Sequence, residues 1–455
     1  MLTSGVEFTT GALTLQIGLI TTGVAVLIGI VIAAVAAMHD RSDPAVLLSQ
    51  AGSVRAGRDR GANMFRLGLV AAQAALSLAL LIACLAFVQS FRRAAGLDLG
   101  FTRQDVVVAT VPLGDLGFTR EQQREFYQSA WERVQSIPGV QSASLGYMTP
   151  WWNNRTERIV IPGRDSLPAA AGLGLPAFDA VTPDYLRTLG LRLLRGRWLE
   201  ENDVPGSAPV VVINEALGDL YWPNESAIGR CMGIGGPDTP CRDVVGVVAN
   251  HRFTGSLDGE PVPAYFLPLA QSHEYSFTPR LFVLRAGDSP LVLPLLRQVL
   301  QGLVPNLPAA ELVEMEDRFE PLVAPWRLGS YTFTAMGILA TMIGTLGLFT
   351  TLSYVVAERK REFAIRLAIG ATGRQVAIPV VRQGILTVII GAGFGLLLVF
   401  AASGWLQPLL FQTRLFDPLM LGGTAAVLLS IGFTASLAPA RVASRRDPMD
   451  TLRED

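Results

Sequence analysis

Glu358-Arg359-Lys360-Arg361-Glu362-Phe363-Ala364-Ile365-Arg366-Leu367-Ala368-Ile369-Gly370-Ala371-Thr372 stands between two apolar runs, Leu328–Val356 and Gly384–Ser403. Each run approaches or exceeds the roughly 20 residues that cross a bilayer, and in hydrocarbon only a helix satisfies all its own backbone hydrogen bonds. The charged stretch is therefore a short connection held at a membrane surface. Phe363, Ile365, Leu367 and Ile369, set among small residues, suit a surface helix lodging in a partner's groove. Their alternation taken alone is strand-like, and a basic loop that only serves topology is the alternative.

Working outward, Leu15–Ala37, Leu67–Gln89 and Met420–Pro439 are also apolar enough to span, giving five predicted transmembrane helices. Composition agrees: half the residues are hydrophobic and 16% are charged, against roughly 25% charged in soluble domains. The net charge of -1 gives no reason to expect a nucleic-acid partner. Met1–Thr10 lacks a basic region and contains Glu7, so the first run reads as a retained helix rather than a signal peptide. Basic residues gather after the first run (Arg41, Arg55, Arg58, Arg60, Arg66), after Val356 (Arg359, Lys360, Arg361, Arg366, Arg374) and in the tail (Arg441, Arg445, Arg446, Arg453). The positive-inside rule places these segments and the C-terminus in the cytoplasm and Phe91–Arg327 outside. Arg92 and Arg93 sit on the wrong side for the rule, from which long translocated domains are largely exempt.

The resulting organisation is 1–38, helix; 39–66, cytoplasmic linker; 67–91, helix; 92–327, external domain with a strand-rich insertion at about 150–270; 328–357, helix. It continues with 358–375, cytoplasmic segment; 376–404, helix; 405–418, external loop; 419–440, helix; 441–455, cytoplasmic tail. Two helix exits look alike, Ala36–Leu48 and Ala440–Leu452, each passing through Asp-Pro (Asp43-Pro44 and Asp447-Pro448) to an aliphatic turn. Read as a repeat, residues 1–50 are the last helix of a preceding module; chance similarity of two exits is the alternative.

The external segment shows short alternating runs. Val106–Val111, Thr119–Ser136 and Gln141–Gly146 read as strand, helix, strand, and Leu281–Leu284, Leu291–Leu303 and Ala310–Val313 repeat that order. The two units predict one split βαβ layer of an α+β domain, with Val210–Ile213 and Val244–Val248 as strands of the insertion between them. Cys231 and Cys241 bracket a turn-rich stretch; an oxidising compartment favours a disulfide there, two free thiols in a hairpin being the alternative. Met148, Pro150, Trp151 and Trp152 are candidate anchors for a partner, or else core or membrane-interface residues.

Catalytic chemistry is missing. No Gly-x-x-x-x-Gly-Lys-Ser/Thr occurs, and the single lysine, Lys360, cannot supply one, so the chain is expected to hydrolyse no ATP by itself and to bind no cofactor directly. Gly233, Gly235 and Gly236 read as a turn, and His39, His251 and His273 have no metal-ligand spacing. No catalytic or metal residue is assigned.

The stretch Glu358–Ala371 resembles the FtsX-like permease signature, Glu-Arg-x-Arg-Glu-x-x-Ile-Arg-x-Ala-x-Gly-Ala, and Pro439–Arg453 is similar to that family's ending. Thr182-Pro183-Asp184-Tyr185-Leu186, Leu189-Gly190-Leu191, Gly196-Arg197, Asn214-Glu215, Trp222-Pro223 and Val244–Val248 resemble the periplasmic core of MacB-like permeases. The resemblance implies a membrane α-helical permease of a bacterial cytoplasmic membrane, with a two-part α+β periplasmic domain of MacB core type. It also implies a separate ABC ATPase holding ATP and Mg, docked on Glu358, Arg359, Arg361, Glu362, Ile365, Arg366, Ala368, Gly370 and Ala371, and a second permease module, either a homodimer mate or a duplicated half. The extra first helix resembles duplicated orphan permeases, of which this chain would be the C-terminal part. The expected function is mechanotransmission for export or extraction of an amphiphilic substrate, with a periplasmic adaptor as a further expected partner. The alternative is a signalling subunit that activates a periplasmic cell-wall hydrolase or sensor without transport.

Overall fold

The computed structural model describes residues 55–444 apart from 112, 115, 149, 152–155, 158, 163–175, 236–238, 254–256, 276–278, 288 and 304–309. The predicted helix Leu15–Ala37, both Asp-Pro turns of the repeat and Trp152 lie outside the described residues. In chain order the elements begin α1 (Arg55–Ala95), β1 (Val106–Thr110), α2 (Arg120–Gln135), β2 (Val140–Gly146), β3 (Ile159–Val160) and β4 (Ala177–Val181). They continue α3 (Tyr185–Thr188), β5 (Leu193–Gly196), β6 (Val210–Asn214), α4 (Glu215–Tyr221), β7 (Cys231–Ile234), β8 (Arg242–Val248) and β9 (Ala264–Pro268). The last are β10 (Leu281–Ala286), α5 (Ser289–Leu303), β11 (Glu311–Glu314), α6 (Met315–Glu358), α7 (Lys360–Ala368), α8 (Gly373–Leu406) and α9 (Pro418–Ser444).

Four helices among the described residues are long and apolar enough to cross a membrane: α1, α6, α8 and α9. The fifth span expected from sequence is the one outside those residues. α6 has 44 residues and so runs about 66 Å, roughly twice the hydrocarbon thickness of a bilayer. Hydropathy marks its span from Leu328, but the helix starts at Met315 because its first turns belong to the external domain's core: Met315, Phe319 and Val323 are buried there with Leu99, Val106 and Val283.

The chain divides into two compact units, one of Gln73–Leu346 and Val388–Thr434, the other the described residues of Met1–Ala72, Gly347–Thr387 and Ala435–Asp455. The first contains an 11-stranded sheet in the order β11-β1-β10-β2-β4-β9-β6-β8-β7-β3, with β5 on β8. Its first four strands are antiparallel and interlocked as a split βαβ layer, covered by α2 and α5. Continuous apolar strands follow from burial on both faces. Val107 and Ala109 of β1 pack under α2 and α5 with Phe126, Ala130, Leu296 and Leu300, while Val106 and Val108 enter the core shared with α6. In the inserted lobe Val210 and Val212 face that shared core, and Val211 and Ile213 face the lobe's own, with Tyr265 and Leu217.

The two lobes meet at a narrow seam. β2 and β4 share one register pair, Gly146 with Val181, flanked by Tyr147 N–H to Ala180 O and Thr182 N–H to Leu145 O, both 3.0 Å. Gly146 is required there, because a Cβ would lie 2.7 Å from the Tyr185 ring. Asp179 Oδ1 accepts the backbone N–H groups of Tyr147 (3.0 Å) and Met148 (2.9 Å), so a carboxylate of one lobe closes the end of the other's strand.

Candidate coupling site

α7 is a separate nine-residue helix. Arg359 (φ -96°, ψ 19°) breaks the path from α6, and α7 opens with Phe363 N–H on Arg359 O at 3.1 Å. It ends in a Schellman motif: Gly370 N–H meets Leu367 O at 3.0 Å and Ala371 N–H meets Arg366 O at 3.0 Å. Gly370 adopts φ 103°, which a residue with a Cβ adopts only under strain. Thr372 N–H then bonds Gln375 Oε1 at 2.8 Å, the outer half of a capping box at the start of α8. Both ends of α7 are thus fixed by local chemistry, which decides for a helix where alternation suggested a strand.

Only Phe363 and Ala364 of α7 are buried, at 5% and 2% exposure. Glu358, Arg359, Lys360, Arg361, Glu362, Ile365, Arg366, Ala368 and Ile369 are exposed, Ile369 at 82%. Glu362 and Arg366 pair one turn apart, an exposed ion pair contributing only ~0.3–0.5 kcal/mol. The nine residues named from the signature therefore lie together on and around one short helix, and Gly370-Ala371 form its cap. Phe363, which the signature leaves variable, is the residue that anchors it. In the same unit Gly384 of α8 lies against Ser436 of α9 and Leu352 of α6, too close for a Cβ, and Arg66 of α1 stacks 3.9 Å above the Tyr354 ring of α6.

In the external domain Cys231 and Cys241 are joined as a disulfide with Cα atoms 5.6 Å apart. Of the two readings open for Trp151, partner anchor or core, its packing favours the core. Its backbone (φ 59°) turns the half-buried ring onto Phe101 and Phe319, at 5.3 and 5.5 Å, and Nε1 donates to Arg252 O at 2.7 Å. Met148 and Pro150 are buried as well. Beside the lobe seam lies a groove of about 560 Å³ with Trp131, Leu145, Val181 and Leu269 on its apolar walls and Glu125, Glu200 and Glu201 among its polar residues.

The seam also holds Asp179, a group that sequence reasoning passed over. Burial pushes the Asp179 carboxyl up to about 7, against the lowering effect of the backbone N–H groups of Met148, Tyr147 and Ala180 and of the Tyr185 hydroxyl. The Tyr185 hydroxyl lies beside it and is raised by burial and by the neighbouring Asp179 carboxylate. Buried His251, packed on Phe253 and Phe266, is lowered to about 4 by desolvation. A lone carboxylate inside the apolar strand Ala177-Phe178-Asp179-Ala180-Val181 is the signal that could have found Asp179.

Residues 68–290 match the family model of the MacB-like periplasmic core domain, and residues 334–448 match that of the FtsX-like permease C-terminal domain. The chain is a MacB-type ABC transporter permease. Among its relatives, the macrolide export ATP-binding/permease protein MacB 2 of Aeromonas hydrophila is 24% identical over 345 residues, 71% of this permease and 50% of that protein. The ABC transporter permease YvrN of Bacillus subtilis is 23% identical over 292 residues, 61% of this permease and 70% of YvrN. Against MacB of Bartonella henselae the match covers 42% of the relative, so this permease spans half or less of the MacB proteins it matches. The crystal structure of the periplasmic region of MacB from Actinobacillus actinomycetemcomitans aligns at 15% identity and TM-score 0.36, over 49% of this permease and 94% of that chain. The sheet domain of this permease falls within the MacB-like periplasmic core match, and α7 falls inside the FtsX-like region.

Proposed function

We propose that this permease is the non-ATPase subunit of a mechanotransmission-type ABC system. In this reading a partner ATPase holding ATP and Mg docks on α7 at the cytoplasmic face, and its cycle moves the periplasmic domain to export or extract an amphiphilic substrate. The observation that carries the reading is α7 itself, a capped helix that buries two residues and displays Ile365 and Ile369 beside Arg361, Glu362 and Arg366. Isolated apolar exposure is ordinary; apolar and charged side chains on one rigid helix between two membrane helices form a docking knob of the helix-in-groove kind.

The relay is covalent. α6 is continuous from Met315, directly after β11, to Glu358, with only Arg359 between it and α7, and its first turns are packed into the domain core by Phe319 and Val323. The seam groove, apolar with carboxylates on it, suits an amphiphile. A second permease module, as a homodimer mate or a duplicated half, and a periplasmic adaptor complete the proposed assembly. Against the signalling alternative, Met148 and Pro150 are buried and the half-buried Trp151 ring packs on Phe101 and Phe319.

Cysteine cross-linking in native membranes tests the docking. In a Cys84→Ala background, Ile369→Cys should cross-link to an ATPase subunit, whereas Glu225→Cys on the periplasmic lobe should not. Equal yields from both positions would rule the docking out.

A further inference from the structure

Arg92 and Arg93 remain unexplained by coupling, and the structure adds Arg414 to them. Arg93 lies in the last turn of α1, at its periplasmic end, and Arg414 lies in the loop joining α8 to α9. A cavity of about 520 Å³ is lined by Arg93, Gln412, Arg414, Phe416, Asp417 and Pro418. Arg93 Nη1 donates to the Gln412 carbonyl and, at 3.3 Å, to Thr413 Oγ1, which fixes the guanidinium at the cavity and, among the described residues, leaves its other N–H groups without a hydrogen-bond acceptor. Arg414 is exposed and makes no hydrogen bond or ion pair among the described residues. The Asp417 carboxylate is held by Leu419 N–H at 2.9 Å.

The surroundings set the depth. Trp405 and Leu419 are 86% and 88% exposed, and exposed Phe400 and Phe416 have ring centroids 6.0 Å apart. Large apolar side chains without protein cover, on the ends of membrane helices, face lipid, and Trp in particular marks the headgroup level. Such residues around the cavity mark headgroup depth.

Two guanidiniums in one cavity match a phosphate, since each can donate two charge-assisted hydrogen bonds. A carboxylate in the same cavity opposes a purely anionic ligand and matches a primary ammonium. We propose that this cavity holds the headgroup of an outer-leaflet aminophospholipid, with its phosphate on Arg93 and Arg414, its ammonium on Asp417, and its acyl chains along Phe400, Trp405 and Leu419. A choline headgroup carries no N–H to donate to Asp417, and a glycerol headgroup carries no positive charge. The site goes beyond the coupling reading and needs no ATPase.

Native mass spectrometry of the purified full-length chain, titrated separately with phosphatidylethanolamine, phosphatidylcholine and phosphatidylglycerol, tests it. The wild-type chain should retain phosphatidylethanolamine best. Arg414→Gln, which keeps a polar side chain of similar reach but removes an unpaired charge, should weaken that binding about tenfold. Asp417→Asn should turn the preference toward phosphatidylglycerol. Thermal melting of each variant separates lost binding from lost fold, and Arg414→Ala replaces any variant that melts early. Equal retention of the three lipids by the wild type, or an unchanged preference in Asp417→Asn, overturns the proposal.

Discussion

Asp179→Asn isolates one titration inside the lobe seam, because the amide oxygen can accept the same two backbone N–H groups that the carboxylate accepts now. Burial raises the Asp179 carboxyl from 3.8 to about 7. Between those values the native domain holds a proton that the unfolded chain has released, so stability is full below pH 4 and falls as pH rises through 7. At roughly 1.4 kcal/mol per pH unit the loss is on the order of 4 kcal/mol. His251, lowered by burial from 6.5 to about 4, acts in the opposite sense: its contribution is present above pH 6.5 and lost, by roughly 3 kcal/mol, as pH falls through 4. The two slopes offset one another between pH 4 and 6.5 in the wild type. Asp179→Asn leaves the His251 slope alone, so the variant should gain stability from pH 4.5 to 6.5, and its stability relative to wild type should be higher at pH 7.5 than at pH 4.5. Guanidinium unfolding of the full chain in micelles, followed by tryptophan fluorescence at each pH, reads this directly. Parallel wild-type and variant curves across that range would refute the assignment of a buried, proton-holding Asp179.

Three further outcomes follow from local geometry. Cys231→Ser opens the loop closed by the Cys231–Cys241 bond and should lower unfolding stability by ~2–3 kcal/mol under oxidising conditions, with no difference from wild type under reducing ones. Thr119→Ala removes the reciprocal capping box of α2, where Thr119 Oγ1 and Gln122 Oε1 exchange backbone bonds, and should cost ~1 kcal/mol by the same assay. Gly384→Ala places a Cβ against Ser436 and Leu352 and should lower the melting temperature of the detergent-solubilised chain, at ~1–3 kcal/mol, whereas Gly393→Ala, with open space around it, should not.

Much of this architecture is legible from residue pattern. The apolar runs declare themselves because hydrocarbon leaves a backbone no other solution, and the strands around Val106, Leu281 and Val210 do so because both sheet faces are buried. The start of α6 is hidden, since the charges and the two prolines of Met315 to Arg327 end the hydropathy run at Leu328, and the apolar residues of that stretch serve the domain core. The helicity of α7 was undecidable from Phe363, Ile365, Leu367 and Ile369 alone, because the deciding features are its ends, Arg359 and the Gly370-Ala371 cap. Trp151 left two readings open because an aromatic pair beside a turn looks the same whether it points out or in; the positive φ at Trp151 is a property of the folded loop. The Arg93, Arg414 and Asp417 cavity joins positions more than 300 residues apart in sequence, which no local pattern encodes.

The central claim is that α7 is where ATP hydrolysis enters this permease. Its most direct test is co-purification of the full-length gene product from its native membrane, with an ATPase assay of the wild type and of Arg361→Glu/Arg366→Glu. The account predicts an ATPase recovered with the wild type and lost from the charge-reversed variant while the permease itself stays folded and membrane-bound. An intact wild-type permease that brings down no ATPase, or a variant that retains it undiminished, would contradict the claim.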